Sequence, residues 1–384
     1  MDDEPVPIPL DPTPWLRGRG AVVNPQNRFE HTRTERDPDD PDQWNPDEQS
    51  APGTTFVPDA TKSVITTNTS PDIPFDVSLN PYRGCEHGCS YCYARPYHEY
   101  LGLSAGLDFE SRILVKHEAP WLLRAELSAP TWKPQVLNLS GVTDCYQPAE
   151  RIHRITRGCL EVLAEFRNPV VMITKNRLIT RDLDLLQELH RHRAIAVTIS
   201  VTTLRQDLAA TLEPRASAPR ARLAAIRTLA DAGIPVGVNI APIIPGLTDR
   251  EMPAIMRAAA DAGAFRAAFS LVRLPHAVKD LFSAWLDHHA PAAKHKVLSA
   301  IASTRGGALN DPGFGSRMRG EGPLAQLIAD QFRLQRARCG LDAEWPELST
   351  AGFRSPHGRQ LSIFDFPGTP DANTNLRRSQ EASG

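Results

Sequence analysis

Residues 80–95 read Asn80-Pro-Tyr-Arg-Gly-Cys85-Glu-His-Gly-Cys89-Ser-Tyr-Cys92-Tyr-Ala-Arg95, and the spacing Cys-x3-Cys-x2-Cys decides how the rest of the chain is read. Half of the six cysteines fall within eight residues. Gly84, Gly88 and Ser90 are small or conformationally permissive, so the loop can curl until three thiolates face a common point. That is a metal-ligand arrangement. Cysteines this close do not pair off as disulfides, and no export signal is recognisable.

Two metals are compatible with the loop. A closed structural zinc site takes four ligands, commonly from two spaced pairs, and no second Cys-x2-Cys follows. Zinc here would therefore recruit His87 or His98. The ferredoxin run Cys-x2-Cys-x2-Cys-x3-Cys-Pro is also absent. Three cysteines holding four irons instead leave one iron open for a small ligand.

Composition sets the frame around this loop. The chain has 384 residues, 41% hydrophobic and 23% charged, as in soluble globular proteins of one large or two smaller domains. No stretch approaches the roughly 18 apolar residues that span a bilayer, which predicts a cytoplasmic protein without a membrane partner. The net charge of -2 hides an asymmetry. Residues 1–60 carry 13 acidic and 5 basic side chains, which leaves 32 acidic against 38 basic for the remainder. A mildly basic body permits a nucleic-acid substrate without demanding one.

The pattern along the chain changes from about residue 75. Residues 1–60, acidic and Pro-rich, are expected to be largely disordered, with Trp15, Phe29 and Trp44 as candidate anchors and Arg17-Gly-Arg-Gly-Ala21 as a segment able to reach into a cleft. Strands are predicted at 75–80, 136–140, 170–174, 195–201, 236–241 and 267–272. Helices are predicted over 118–128, 149–166, 180–192 (capped by Thr180) and 219–232, with a capping box at Thr248-Asp-Arg-Glu251 opening one more. Six strand–helix units imply an α/β fold, an open partial (β/α)6 barrel of parallel strands, over residues 70–275. A helical extension over 276–345 and a mostly irregular tail over 346–384, with the apolar patch Leu361–Phe366, complete the expected organisation. In such barrels the chemistry lies at the C-terminal strand ends, and the cysteine loop directly follows the first strand.

The loop, with Tyr91 before its last cysteine, resembles the signature of the radical S-adenosylmethionine (radical SAM) enzymes. The motifs at 80–95, Thr143–Glu150, Leu212-Glu-Pro-Arg-Ala216 and Ala232–Gly246 together resemble the spore photoproduct lyase-related branch of that superfamily, over roughly residues 75–345. The resemblance implies a [4Fe-4S] cluster on Cys85, Cys89 and Cys92, whose open iron chelates S-adenosyl-L-methionine. It also implies an electron donor such as a flavodoxin or ferredoxin, and reductive cleavage to a 5′-deoxyadenosyl radical. The substrate is unidentified; nucleic acid is one class, since the named lyase acts on DNA.

The same resemblance assigns roles to strand-end residues. Ser140 and Asp144 stand where relatives receive the methionine amino group, although the usual glutamate is missing. Ser200, Thr202 and Thr203 stand at the ribose, Asn239 and the Pro-rich segment after it beside adenine, and Tyr91 at the adenine edge. Arg222 is placed to grip the methionine carboxylate. Cys145 and Tyr146 are candidate hydrogen-atom donors, against the alternative that they simply pack. The rival reading is a zinc- or cluster-stabilised binding protein on the same barrel without turnover.

Overall fold

The structure, a computed structural model, describes residues 15–30 and 53–355. Ten strands follow in order: β1 (Thr55–Pro58), β2 (Ile65–Thr67), β3 (Val77–Leu79), β4 (Tyr82–Arg83), β5 (Arg112–Val115), β6 (Leu137–Leu139), β7 (Val170–Thr174), β8 (Ile195–Ser200), β9 (Val236–Ile243) and β10 (Arg266–Leu271). Seven form one sheet in the order β10-β9-β8-β7-β6-β3-β2. Its first six members run parallel, and β2 lies antiparallel to β3 at the edge. The edges β10 and β2 do not pair, so the sheet is an open partial barrel of the expected six parallel strands. A small second sheet, β1-β5-β4, stands beside it.

Side-chain alternation explains the curvature and the hollow inside. In β7, Val170 and Met172 are wholly buried in the core, while Val171 and Ile173 point the other way and line an internal cavity. Small residues on the concave side, Ala196 in β8 and Ala268 in β10, leave that cavity open. The helices Ile155–Phe166, Leu183–Arg191, Pro219–Asp231 and Met252–Asp261 separate successive strands. Their buried Leu163, Leu186, Leu229 and Ile255 join Met172, Val197 and Val238 in one core. Each such side chain contributes roughly 1.5–3 kcal/mol by leaving water.

Polar side chains redraw several helix boundaries. The single helix expected over 149–166 breaks at Arg154 (φ 55), because the Glu150 carboxylate accepts the N–H groups of Thr156 (2.9 Å) and Arg157 (3.3 Å) and opens a second helix there. Asn176, not Thr180, caps the next segment by accepting the Leu178 N–H at 3.0 Å. The capping box at Thr248 does not form. Thr248 Oγ1 accepts the Ile244 N–H instead, and Glu251 takes the Thr203 hydroxyl (2.7 Å) and the Leu204 N–H (2.8 Å).

The N-terminal expectation needs correction. Residues 15–30 and 53–60 are placed, because buried carboxylates collect their backbone groups. Glu110 accepts the N–H groups of Gly20 and Ala21, both at 2.9 Å, and β1 pairs with β5. Trp15 stacks on His288 at 5.3 Å and Phe29 meets Tyr100 at 5.0 Å. Trp44, the rest of residues 1–60 and the patch at 361–366 lie outside the described residues. Beyond the barrel, helices Val278–His289, Lys294–Ser303 and Gly322–Arg338 follow, the last setting Phe332 against Phe269 of β10. Among the described residues no helix is long and apolar enough to cross a membrane.

Candidate active site

The cysteine loop is braced from behind before it presents anything to the cavity. Arg95, fully buried, donates from Nε to Cys89 O (3.0 Å) and from Nη2 to Gly88 O and Glu110 Oε1, both 3.2 Å. Its Nη1 reaches Gly106 O at 2.8 Å. The Cys85 N–H donates to Phe109 O (2.8 Å) and the Ser90 N–H to Leu212 O (3.1 Å), tying both ends of the loop to the body. Residues 17–21 pack directly on it: a Cβ at Gly20 would sit 1.5 Å from Gly88 O, so only glycine permits the approach.

Cys85, Cys89 and Cys92 all line one wall of the internal cavity, of about 950 Å³, at the C-terminal end of the barrel strands. None is in a disulfide. Burial pushes all three thiols up, Cys89 to about 12, and Cys85 is raised further by Asp144 and its two companions. Clustered thiols that repel one another's negative charge are suited to a cationic centre, which removes their protons and supplies the opposing charge. The donor set therefore fits an iron–sulfur centre.

A single zinc ion is poorly served here. A tetrahedral site at about 2.3 Å per Zn–S bond needs tightly gathered donors. Among the described residues no three His, Cys, Asp or Glu side chains are gathered to hold one ion. His87 is also committed, with Nδ1 3.4 Å from Asp144 Oδ2 and Nε2 3.2 Å from Asn176 Nδ2. Burial lowers its pKa to about 4, so it is the neutral ring that bridges the two. His98 Nε2 lies 3.1 Å from Arg112 O.

A buried polar network joins the loop to the barrel. The Tyr91 hydroxyl donates to Glu213, which is ion-paired with Arg222. Thr202 Oγ1 lies 2.8 Å from Glu213 and 3.1 Å from Ala241 O. Burial pushes the Glu213 carboxyl up, but Arg222 and then Lys175 outweigh it and hold the group at about 2. Lys175, at the end of β7, lines the cavity with Nζ 6.0 Å from the centre of the Tyr91 ring. Its charge lowers the pKa of both Cys89 and Cys92.

The other expected site residues divide. Tyr91, Ser140, Asp144, Ser200 and Asn239 line the same cavity as the cysteines. Ser140 adopts φ 85 and spends its hydroxyl on Thr143 O (2.7 Å). Asp144 accepts from Thr174 Oγ1 and the Lys175 N–H, both at 2.7 Å, so its carboxylate fixes a strand end and His87. Arg222 does not reach the cavity. It is buried against Glu213, Ser217 O (2.7 Å) and Ser200 O (3.2 Å), which leaves no fork for a ligand carboxylate.

Thr202 is likewise enclosed. Cys145 and Tyr146, expected as hydrogen-atom donors, are wholly buried in the core and do not line the cavity. Tyr146 donates to Asp182 at 3.1 Å, and Thr156 holds Cys145 O at 2.6 Å. The packing alternative applies to both. Sequence reasoning missed Lys175 and Glu213. Lys175 was marked by its position, the first charged residue after the apolar strand Val170–Thr174; Glu213 lies inside the motif Leu212–Ala216, but its partners Tyr91, Thr202 and Arg222 come from separate segments and gave it no role.

The cavity mouth carries aromatic rings and arginines. Tyr93 and Arg273 line it, with the guanidinium 4.9 Å from the ring centre. Outside the lining residues, Tyr97, Tyr100 and Phe29 form a run of ring contacts, and Arg28, paired with Glu99, lies over Phe29 (4.7 Å) and Tyr100 (5.3 Å). Phe314, 64% exposed, has Arg317 at 4.7 Å.

Comparison with known proteins agrees with this geometry. The sequence model of the Radical SAM superfamily matches residues 79–259. An uncharacterized protein of Mycobacterium tuberculosis (strain H37Rv) is 34% identical over 221 residues, 57% of this chain and 65% of that protein. One from Methanocaldococcus jannaschii is 30% identical over 173 residues, 45% of this chain and 62% of that one. The chain thus spans about 65% of the length of the first relatives it matches. Among solved structures, a spore photoproduct lyase mutant superposes with a TM-score of 0.54 at 16% identity, over 75% of this chain and 84% of that chain. Another, with bound AdoMet and dinucleoside spore photoproduct, gives 0.53 at 16% identity, over 74% and 78%. These structures share the fold. Residues 79–259, which carry the cysteine loop and most of the open six-stranded parallel barrel, are thus similar to the radical SAM superfamily.

Proposed function

We propose that the chain is a radical SAM enzyme in which Cys85, Cys89 and Cys92 hold a [4Fe-4S] cluster and the cavity beside them takes S-adenosyl-L-methionine and the substrate. The observation that carries this reading is that the three thiols line one cavity together with Lys175, whose charge acts on both Cys89 and Cys92. When bound, the cluster supplies an open iron for the amino acid end of S-adenosylmethionine and the electron that cleaves it to a 5′-deoxyadenosyl radical.

The chain's own residues do the positioning. Lys175 neutralises the methionine carboxylate, the role expected of Arg222. Asn239, Ser200 and Tyr91 face the nucleoside end. The Glu213–Arg222 pair fixes Tyr91, and the apolar wall of Val171, Ile173 and Val238 keeps water away from the reacting carbon. A cytoplasmic setting, where thiols stay reduced, suits this chemistry. The test is iron and sulfide content after anaerobic reconstitution, together with the change that added S-adenosylmethionine makes in the reduced cluster's electron paramagnetic resonance spectrum. Iron loading lost in Cys85→Ala, Cys89→Ala and Cys92→Ala supports the reading; zinc without sulfide in the native chain contradicts it and favours the non-catalytic binding protein.

For the substrate we favour a base of single-stranded or opened nucleic acid. The exposed rings of Phe29, Tyr97, Tyr100, Tyr93 and Phe314 supply stacking faces, with Arg28 (paired with Glu99), Arg317 (paired with Asp72) and Arg273 set over them. A lyase-type reaction on a modified base is one form of that chemistry, in keeping with the fold seen around a dinucleoside photoproduct. Binding of a fluorescent oligonucleotide that weakens on mixing with Tyr100→Ala and Phe314→Ala variants is the expected result.

A further inference from the structure

A second cavity also takes part of its lining from the cysteine loop, through Glu86. It is a surface cleft of about 590 Å³ and shares no lining residue with the larger one. Four arginines surround it: Arg17, Arg19, Arg151 and Arg215. Its floor is the cysteine loop itself. Glu86, the residue after Cys85, is 2% exposed there, and the Arg215 N–H donates to His87 O at 3.2 Å. Glu86 is the one carboxylate among the lining residues, and it is taken by Arg215 Nη2 (2.8 Å) and the Thr54 hydroxyl (2.9 Å). Arg215 is thus paired, and Arg19 is buried with its guanidinium on Glu110 O (2.7 Å) and facing the Glu110 carboxylate, so the charge presented at the cleft is that of the exposed Arg17 and Arg151. At the lip, Ile152 is 68% exposed beside the exposed Arg151, with Phe56 and Pro148 adjoining.

We propose that this cleft is the docking surface for an acidic one-electron carrier protein that reduces the cluster. The proposal rests on the radical SAM reading above and adds the partner's place and charge. A basic rim around an apolar centre is the anatomy of a small, transient protein interface, and redox encounters sit at the small end of interface size. Charge complementarity selects an acidic carrier and speeds its encounter. One peptide bond joins Glu86 on the cleft floor to Cys85, so the electron has a short path that leaves the substrate mouth unobstructed. The carrier loses one electron and the cluster gains one; no atom changes hands. The exposed Ile152 argues for protein over nucleic acid, whose phosphates would leave that side chain unused.

The test compares the full chain with the double variant Arg17→Glu/Arg151→Glu, two exposed positions outside the cysteine loop and the substrate cavity. A low-potential acidic flavodoxin serves as the probe, and association is first measured by titration at low and high salt. The native chain should bind with affinity falling as salt rises, and the variant should bind about tenfold or more weakly with a flattened salt dependence. Next, the rate at which reduced flavodoxin bleaches the reconstituted cluster is followed, with dithionite as the small-molecule control. The variant should be slow with flavodoxin and equal to the native chain with dithionite. Equal flavodoxin rates and affinities in both chains would overturn the docking proposal. So would a variant that loses affinity only for a single-stranded oligonucleotide. A chain that loads no cluster defeats the functional reading instead, while the association measurement still decides the surface.

Discussion

Arg95 and Glu110 form an ion pair of 3.2 Å in which both side chains are completely withdrawn from solvent, directly behind the three cysteines. The guanidinium spends its remaining donors on the carbonyls of Gly88, Cys89, Ala105 and Gly106, and the carboxylate spends its own capacity on the N–H groups of Gly20 and Ala21. The pair thus converts a glycine-rich loop into a fixed platform and fastens residues 17–21 over it.

Breaking that pair from one side leaves a buried charge unopposed. Glu110→Ala should lower stability by about 3–5 kcal/mol and reduce iron incorporation, because the loop loses its support. Thermal unfolding read by circular dichroism, with iron content measured in parallel, checks both effects. Replacement of a solvent-exposed pair such as Arg333 and Asp330 should change stability by less than about 1 kcal/mol.

The Glu213 carboxyl is held at about 2, well below the ordinary glutamate range near 4.3. A depressed folded-state value means that the unfolded chain binds the proton first. The stabilisation is therefore fully present above about pH 4.3 and is lost as pH falls toward 2. It amounts to on the order of 3 kcal/mol. Acid titration of stability should show that loss in the native chain, and a shallower slope over the same window in Glu213→Gln. Parallel curves for the two chains would sink the assignment.

Lys175 should matter for S-adenosylmethionine and not for iron. A charge-assisted contact is worth about 1.5–3 kcal/mol, so Lys175→Met should weaken S-adenosylmethionine binding by about 10- to 150-fold while cluster content stays at the native level. Equilibrium dialysis with labelled S-adenosylmethionine and an iron assay on the same sample separate the two. Arg222→Met should instead destabilise the whole protein, since Glu213 would be left buried without its partner.

The rim supplies a prediction about stacking. Tyr100, 67% exposed, lies 5.0 Å from Phe29 and has Arg28 over its face, so its exposure is that of a platform and not of a core residue. Tyr100→Ala should weaken binding of a single-stranded oligonucleotide by about 1–3 kcal/mol and leave stability nearly unchanged. Fluorescence anisotropy at two salt concentrations measures the effect, and an unaltered affinity would remove nucleic acid from the substrate classes.

The cysteine loop and the six strands were legible because each is a local pattern. Val170–Thr174 reads as a strand from its own residues, and Cys85, Cys89 and Cys92 read as a ligand set from their spacing. Roles that depend on a distant partner were not legible. Arg222 lies on the helix after the fourth barrel strand, as read, yet Glu213, nine residues earlier, occupies it. Cys145 follows a barrel strand, but the turn from Ser140 to Asp144 rotates it into the core. Residues 17–21 read as polar and unstructured because their partner, Glu110, lies about ninety positions away, where no local pattern records it.

The most direct test is the formation of 5′-deoxyadenosine when the anaerobically reconstituted, dithionite-reduced chain is incubated with S-adenosylmethionine, with Cys89→Ala as control. Product from the native chain and none from the variant is the predicted result. A native chain that carries iron and sulfide, binds S-adenosylmethionine and still forms no 5′-deoxyadenosine with or without an oligonucleotide would contradict the account.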